Sequence, residues 1–203
     1  MIKKWTDGFR LGDHIIHPYT SDLDKDRAVR DLFSWAPHSS KFYYFADGKS
    51  YERLFDRANG ASDSITEALR DERFSMLSAK KSYCPDGTFD GPRMVRLLSG
   101  ICQEAQDNGF HSTIAVGDVT LVSKIREHFP AFIRYETSVD FVDFPTKVAF
   151  LCQYDRRYFS PAEINKAISV HQQSLVDRTL ARNYWIISRK GTGGNLLQEK
   201  RSS

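Results

Sequence analysis

Residues 147–155, Lys147-Val148-Ala149-Phe150-Leu151-Cys152-Gln153-Tyr154-Asp155, form an apolar run that turns abruptly polar before Arg156-Arg157-Tyr158-Phe159-Ser160-Pro161. A short unbroken run of Val, Ala, Phe and Leu fits a strand buried on both faces, as found in a mostly parallel sheet covered by helices. Cys152 to Asp155 then lie at the carboxyl end of that strand. In open α/β sheets this end borders the crevice where ligands bind. Two uses of the cluster are open: a binding site, or a simple closure in which Tyr154 and Asp155 finish the sheet and cap the next helix.

The rest of the chain alternates strand and helix. Asp13 to His17 is β-branched and alternating, and Pro18 is expected to stop this first strand after an irregular lead-in over residues 1–11. Thr20, Ser21 and Asp22 can cap a helix carrying Leu23, Val29, Leu32, Phe33 and Ala36 and ending at Pro37. Phe42-Tyr43-Tyr44-Phe45 is an aromatic strand, followed by helices at 51–58 and 64–70. Phe74 to Ser78 is a strand, and 80–90 a polar connection. Asp90-Gly91-Pro92 opens the best helix, which closes at Asn108-Gly109. Ser112 to Val116 is a strand ending in Gly117-Asp118. Residues 121–127 and 131–141 look helical, the second with Phe132, Tyr135 and Val139 on one side and Glu136 and Asp140 on another. Ser160-Pro161-Ala162-Glu163 combines an N-cap, a first-turn proline and a capping-box acid. The helix it starts carries Ile164, Ala167, Ile168 and His171. Residues 184–187 are a last strand, and 190–203 a disordered tail with little to pack. The expected fold is α/β with a mostly parallel central sheet of five or six strands. One domain spans 12–189.

Several functions are disfavoured. Gly48-Lys49-Ser50 ends like a phosphate-binding loop, but the position of the first glycine holds Tyr43, inside a strand, so Lys49 is a solvated turn residue. Cys84, Cys102 and Cys152 show neither a disulfide framework nor metal-ligand spacing. Cys102 sits at helical spacing with Met94, Leu98 and Ile101 as a core residue, and Cys84, in a Pro/Gly loop, is the expected reactive thiol. A net charge of +3 is too mild to argue for nucleic acid. No apolar run approaches a bilayer span, and no signal-peptide core is present, which points to the cytoplasm.

Leu77 to Tyr83, Asp86 to Asp90, Gly117-Asp118-Val119-Thr120, Tyr135-Glu136, and Leu151-Cys152-Gln153-Tyr154-Asp155 with Phe159 and the downstream His171 resemble, in that order, the MEDS family. This is the methanogen/methylotroph sensory domain, also the sensor part of a dichloromethane-responsive repressor. The resemblance runs from about Gly12 to Ile187. It implies a RecA/KaiC-like three-layer sandwich without its phosphate loop, and a role in sensing small organic ligands for a signalling or transcription-regulatory partner. The chain departs from the family pattern in having Asp118 with Leu121 nearby, and Gln172 after His171.

The candidate ligand-binding residues are His14, Tyr44, Asp118, Glu136, Cys152, Tyr154, Asp155 and His171. No catalytic residue, metal or cofactor is expected, because no pair among the acids and histidines has metal-ligand spacing. His14 and His171 also suit hydrogen-bonded buried positions. The expected function is a non-catalytic sensory domain; a degenerate RecA-type ATPase or hydrolase and a pure interaction module are the alternatives. No direct nucleic-acid binding and no membrane partner are expected, and a homo-oligomer is left open.

Overall fold

A computed structural model describes residues 4–55 and 72–183. Seven strands form one sheet: β1 (His14–Tyr19), β2 (Ser40–Ala46), β3 (Phe74–Ser78), β4 (Ser112–Asp118), β5 (Lys147–Asp155), β6 (Gln173–Val176) and β7 (Thr179–Arg182), in the order β3-β2-β4-β5-β1-β6-β7. Every pairing is parallel except β6 with β7. The opening run is central, as its composition requires: eight of the nine residues of β5 are buried.

Successive side chains on a strand point to opposite faces, and the two apolar layers follow from that alternation. Ile15, Phe42, Tyr44, Ile114, Val116, Ala149 and Leu151 face one layer. It is covered by α1 (Asp22–Trp35) and by Leu54 of α2 (Gly48–Phe55). Ile16, Tyr43, Phe45, Ala115, Phe150, Cys152 and Tyr154 face the other. This second layer is closed by α3 (Ala79–Tyr83), α4 (Gly91–Asp107), α5 (Phe129–Val139) and α6 (Pro161–Ile168). The result is the expected three-layer sandwich.

Local signals explain most boundaries. Ser21 accepts from the backbone N–H of Asp24 at the start of α1, Asp90 from that of Arg93 at α4, and Ser160 with Glu163 forms the reciprocal capping box of α6. Gly109 takes φ 81° after α4, where a side chain would be strained. Pro18 does not end β1. Alternate carbonyls of β1 reach β5 and β6, Asp13 to the one and His14 to the other, so the missing N–H of Pro18 lies on the β6 side. There β6 pairs only with Ile15 and Ile16, and no ladder bond is lost.

Other differences have physical reasons. The 121–127 segment is two 3-10 turns, Val119–Lys124 and Arg126–His128, because Asp118 caps the first by accepting from Thr120. The polar connection after β3 contains α3, capped by Ser78. His171 lies beyond α6, which ends at Ile168. The hairpin β6–β7 turns at Asp177 and Arg178, both at positive φ, without the glycine or asparagine that marks such turns in sequence. The lead-in carries a 3-10 turn, Trp5–Gly8, that buries Trp5 and Phe9 in the α1 layer. Cys84 is buried, not an accessible loop thiol. The helix expected at 64–70, the strand at 184–187 and the tail at 190–203 lie outside the described residues.

Candidate functional site

The six candidate residues on strands divide by strand parity. His14, Cys152 and Tyr154 point toward α5 and α6. Tyr44, Asp118 and Asp155 belong to the α1 side or the sheet's carboxyl edge, so the two sets share no crevice.

On the α1 side the polar groups anchor helices. Asp118 accepts from Lys25 Nζ at 2.8 Å and from the Thr120 hydroxyl at 2.6 Å, and Lys25 also donates to Ser50 Oγ at 2.9 Å. Asp155 holds the Arg157 guanidinium, Nη2 to Oδ2 at 2.6 Å, and Arg157 continues to Asp22. The Tyr44 hydroxyl donates to Gln153 Oε1 at 3.2 Å. These contacts tie β4 and β5 to α1, whereas the helix that follows β5 is capped by Ser160 and not by Tyr154 or Asp155. Lys49 is exposed in the first turn of α2.

On the α5–α6 side His14, Glu136, Cys152, Tyr154 and His171 converge in a buried cluster. The register sets Ile16 beside Cys152 on adjacent strands, which brings His14, two residues earlier, to the same face. Glu136 lies on the buried side of α5, one turn after Phe132 and one before Val139, and not on a separate side from them. His171 enters from the segment linking α6 to β6. His14 Nε2 is 3.0 Å from Glu136 Oε2, Cys152 Sγ is 3.4 Å from His14 Nε2 and 3.7 Å from Glu136 Oε2, and the Tyr154 hydroxyl donates to Glu136 Oε1 at 3.4 Å. The His14 and His171 rings lie 4.1 Å apart.

The electrostatics are those of one buried ion pair among neutral groups. Burial disfavours a charge on His14, but Cys152, Asp140 and Glu136 outweigh it and hold its pKa well above 6.5. Burial likewise opposes ionisation of Glu136, and its hydrogen bond to His14 wins, keeping the carboxyl below its ordinary value. Burial and the neighbouring His14 charge push His171 down to about 4, and burial pushes the Cys152 thiol up to about 12. His171 donates from Nδ1 to the carbonyl of Ala167 at 2.8 Å. Its Nε2 has no hydrogen-bond partner: Glu136 Oε2, at 3.6 Å, is beyond reach, and a neutral imidazole makes no ion pair.

Two residues not foreseen as site groups link this cluster to the surface. Asp140, just past α5, lies 3.1 Å from His14 Nδ1 and accepts from Gln172 Nε2 at 3.3 Å. Both line a cleft of about 310 Å³ that also includes Val139, Phe144, Lys147 and Phe150. The cleft opens at the amino ends of β1 and β5, the opposite end from the crevice expected.

The mostly parallel sheet between two helical layers defines a three-layer α/β protein. The chain belongs to the MEDS family, the MEthanogen/methylotroph, DcmR Sensory domain, whose sequence profile matches residues 13–172. Comparison with curated protein sequences returns no match. Similar solved structures include an uncharacterized Pyrococcus horikoshii protein in complex with an unknown peptide, at TM-score 0.56 and 11% identity, covering 85% of this chain and 82% of that one. A KaiC-like protein from Pyrococcus horikoshii OT3 aligns at TM-score 0.49 and 8% identity, covering 82% and 72%. At 11% identity the first likeness concerns the fold alone. No helix among the described residues is long and apolar enough to cross a membrane.

Proposed function

We propose that this chain is a non-catalytic sensory domain that takes a small organic molecule into the cleft at the amino ends of β1 and β5 and signals to a separate regulatory protein. The observation that carries this is the continuous line from the cleft through Asp140 to His14 and Glu136. A molecule that displaces or pairs with Asp140 alters the partner of His14, and through it a charge pair buried from solvent. In so dry a setting a change at one group is felt strongly by the others. The cleft is at the small end of ligand sites and mixes Val139, Phe144 and Phe150 with Asp140, Lys147 and Gln172, which suits a compact molecule with one polar handle. Family membership supports the sensory part of the proposal.

One observation favours an enzyme instead. Cys152, His14 and Asp140 stand in the order of nucleophile, base and orienting acid. The chemistry opposes it. A nucleophilic thiol needs a lowered pKa, and burial beside the Glu136 carboxylate moves Cys152 the other way.

The test is a thermal-shift screen of small halogenated, methylated and short-chain polar organics, on the unaltered chain and on Asp140→Asn. A ligand at about a hundredfold excess over its Kd adds about 2.7 kcal/mol. Hits that stabilise the chain and fade in a normally folded Asp140→Asn support the cleft. Hits that bind Asp140→Asn unchanged, or turnover of any of them, overturn the proposal.

A further inference from the structure

The geometry points to a transition-metal site, of the kind that takes Zn²⁺, formed by His14 Nε2, Glu136 Oε2, Cys152 Sγ and His171 Nε2. The four donors come from β1, α5, β5 and the segment after α6, so no spacing in the sequence announces them. The expectation of no metal rested on spacing alone. In space one ligand atom from each lies within 4.8 Å of all the others, and all four residues are buried.

The separations match one tetrahedral ion. Zinc binds nitrogen and oxygen at about 2.0–2.2 Å and thiolate sulfur at about 2.3 Å, so ligand atoms around it stand about 3.3–3.8 Å apart. Here His14–Glu136, His14–Cys152, His171–Glu136 and Cys152–Glu136 measure 3.0, 3.4, 3.6 and 3.7 Å. The cluster is therefore near the required size: among these four pairs only His14–Glu136 must open, and the two remaining pairs, His171 with His14 and with Cys152, lie within 4.8 Å. Two imidazoles, one sulfur and one carboxylate oxygen are a borderline-soft set suited to zinc over magnesium or calcium, which take oxygen.

The independent sign is the Nε2 of His171. It is a fully buried polar atom without a hydrogen-bond partner, and it points into the cluster. Native proteins leave few such atoms, and an absent ion is one standard reason. Its ring is also oriented for the purpose. Nδ1 donates to the Ala167 carbonyl, which puts the lone pair on Nε2. His14 is set the same way, with Nδ1 against the Asp140 carboxylate and Nε2 facing inward. Holding the second ring nitrogen by a carboxylate or a carbonyl is how proteins fix metal-binding histidines. On coordination Cys152 binds as thiolate and its proton passes to solvent, as does the Nε2 proton of His14.

This inference shares its cluster with the proposed sensor and in that respect rests on it: an ion held by Glu136 and His14 would sit one residue behind Asp140, where the cleft ends. The experiment separates the two. The purified full chain is stripped with a chelator, dialysed, and titrated with Zn²⁺ against a chromophoric competitor and separately with Co²⁺. One equivalent of each is expected, the Co²⁺ form showing intense tetrahedral d–d bands and a thiolate charge-transfer band. Cys152→Ala, checked for folding by circular dichroism, should lose the charge-transfer band, and His171→Gln should weaken Zn²⁺ at least about tenfold; Cys84→Ala should change neither. Absence of stoichiometric ion, or a charge-transfer band that persists in folded Cys152→Ala, overturns the assignment. Since variants can fail to fold, the spectrum of the unaltered chain is decisive alone: weak octahedral bands without sulfur absorption also overturn it. Repeating the organic screen on stripped and Zn²⁺-loaded chain distinguishes the failures. Zinc bound with no organic hit sinks the sensor and leaves the metal site; organic hits without zinc do the reverse.

Discussion

Lys25 Nζ, on the first helix, lies 2.8 Å from Asp118 Oδ2 at the end of β4, with both side chains largely shielded from water. Removing one partner of such a pair strands the other charge, at a cost of about 3–5 kcal/mol, whereas replacing both by apolar groups of similar volume is near neutral. Asp118→Ala is therefore expected to lower the Tm by roughly 6–20 °C. Lys25→Met with Asp118→Leu should regain most of that. Melting curves followed by circular dichroism decide it; a single variant that melts normally removes Asp118 from the scaffold.

Gly117 pairs with Cys152 across β4 and β5 and faces Tyr83. A methyl group there meets the Tyr83 hydroxyl, and the ring cannot retreat easily, packed as it is against Phe45 and Phe132. Gly117→Ala should cost about 1–3 kcal/mol by overpacking. Urea unfolding with an unchanged m-value is the measurement.

All three cysteines are buried. Burial raises the pKa of Cys84 and of Cys152, the latter to about 12. A disulfide reagent added to native protein at neutral pH should find almost no thiol over minutes, and three in denaturant. Rapid modification of Cys152 in the native state would revive the nucleophile and undercut the sensory proposal.

The pH dependence has a worked sign. His171 titrates near 4 in the folded chain against 6.5 ordinarily, so between those values the unfolded chain binds a proton that the native one refuses. Stability therefore falls as pH drops from 6.5 to 4, by at most about 3 kcal/mol. Glu136, with its folded pKa lowered, adds a loss below 4.5. His14 runs the other way: its contribution is full below 6.5 and is lost as pH rises through its elevated folded value. Melting temperatures of chelator-treated protein across pH 4–8 should show the acid limb, and His171→Gln should flatten it.

The strands were legible because short apolar runs punctuated by Gly and Pro leave few other structures. Phe74–Ser78 and the start of α6 at Ser160 came out as expected. The β6–β7 hairpin did not, since its turn uses Asp177 and Arg178 in a conformation that glycine ordinarily supplies. The sequence marks the five clustered residues one by one but groups them with Tyr44, Asp118 and Asp155, whose polar atoms anchor neighbouring elements. The signal that separates them was present: on β5, Cys152 and Tyr154 share one parity, and Gln153 and Asp155 the other. Asp140 and Gln172 carried no such mark, because their importance arises from contact with His14 across more than a hundred residues.

His171 is joined to β6 through Gln172 alone, and its carbonyl accepts from Asn183 Nδ2 at 3.0 Å. Asn183 in turn takes the carbonyl of Gln172 with its own N–H and accepts from Ser174 Oγ. The backbone that carries the imidazole is thus hydrogen-bonded directly to the β6–β7 ribbon. Packed interiors do not absorb small displacements smoothly. A displacement of the His171 ring would therefore pass through Gln172 and Asn183 to the edge ribbon of the sheet.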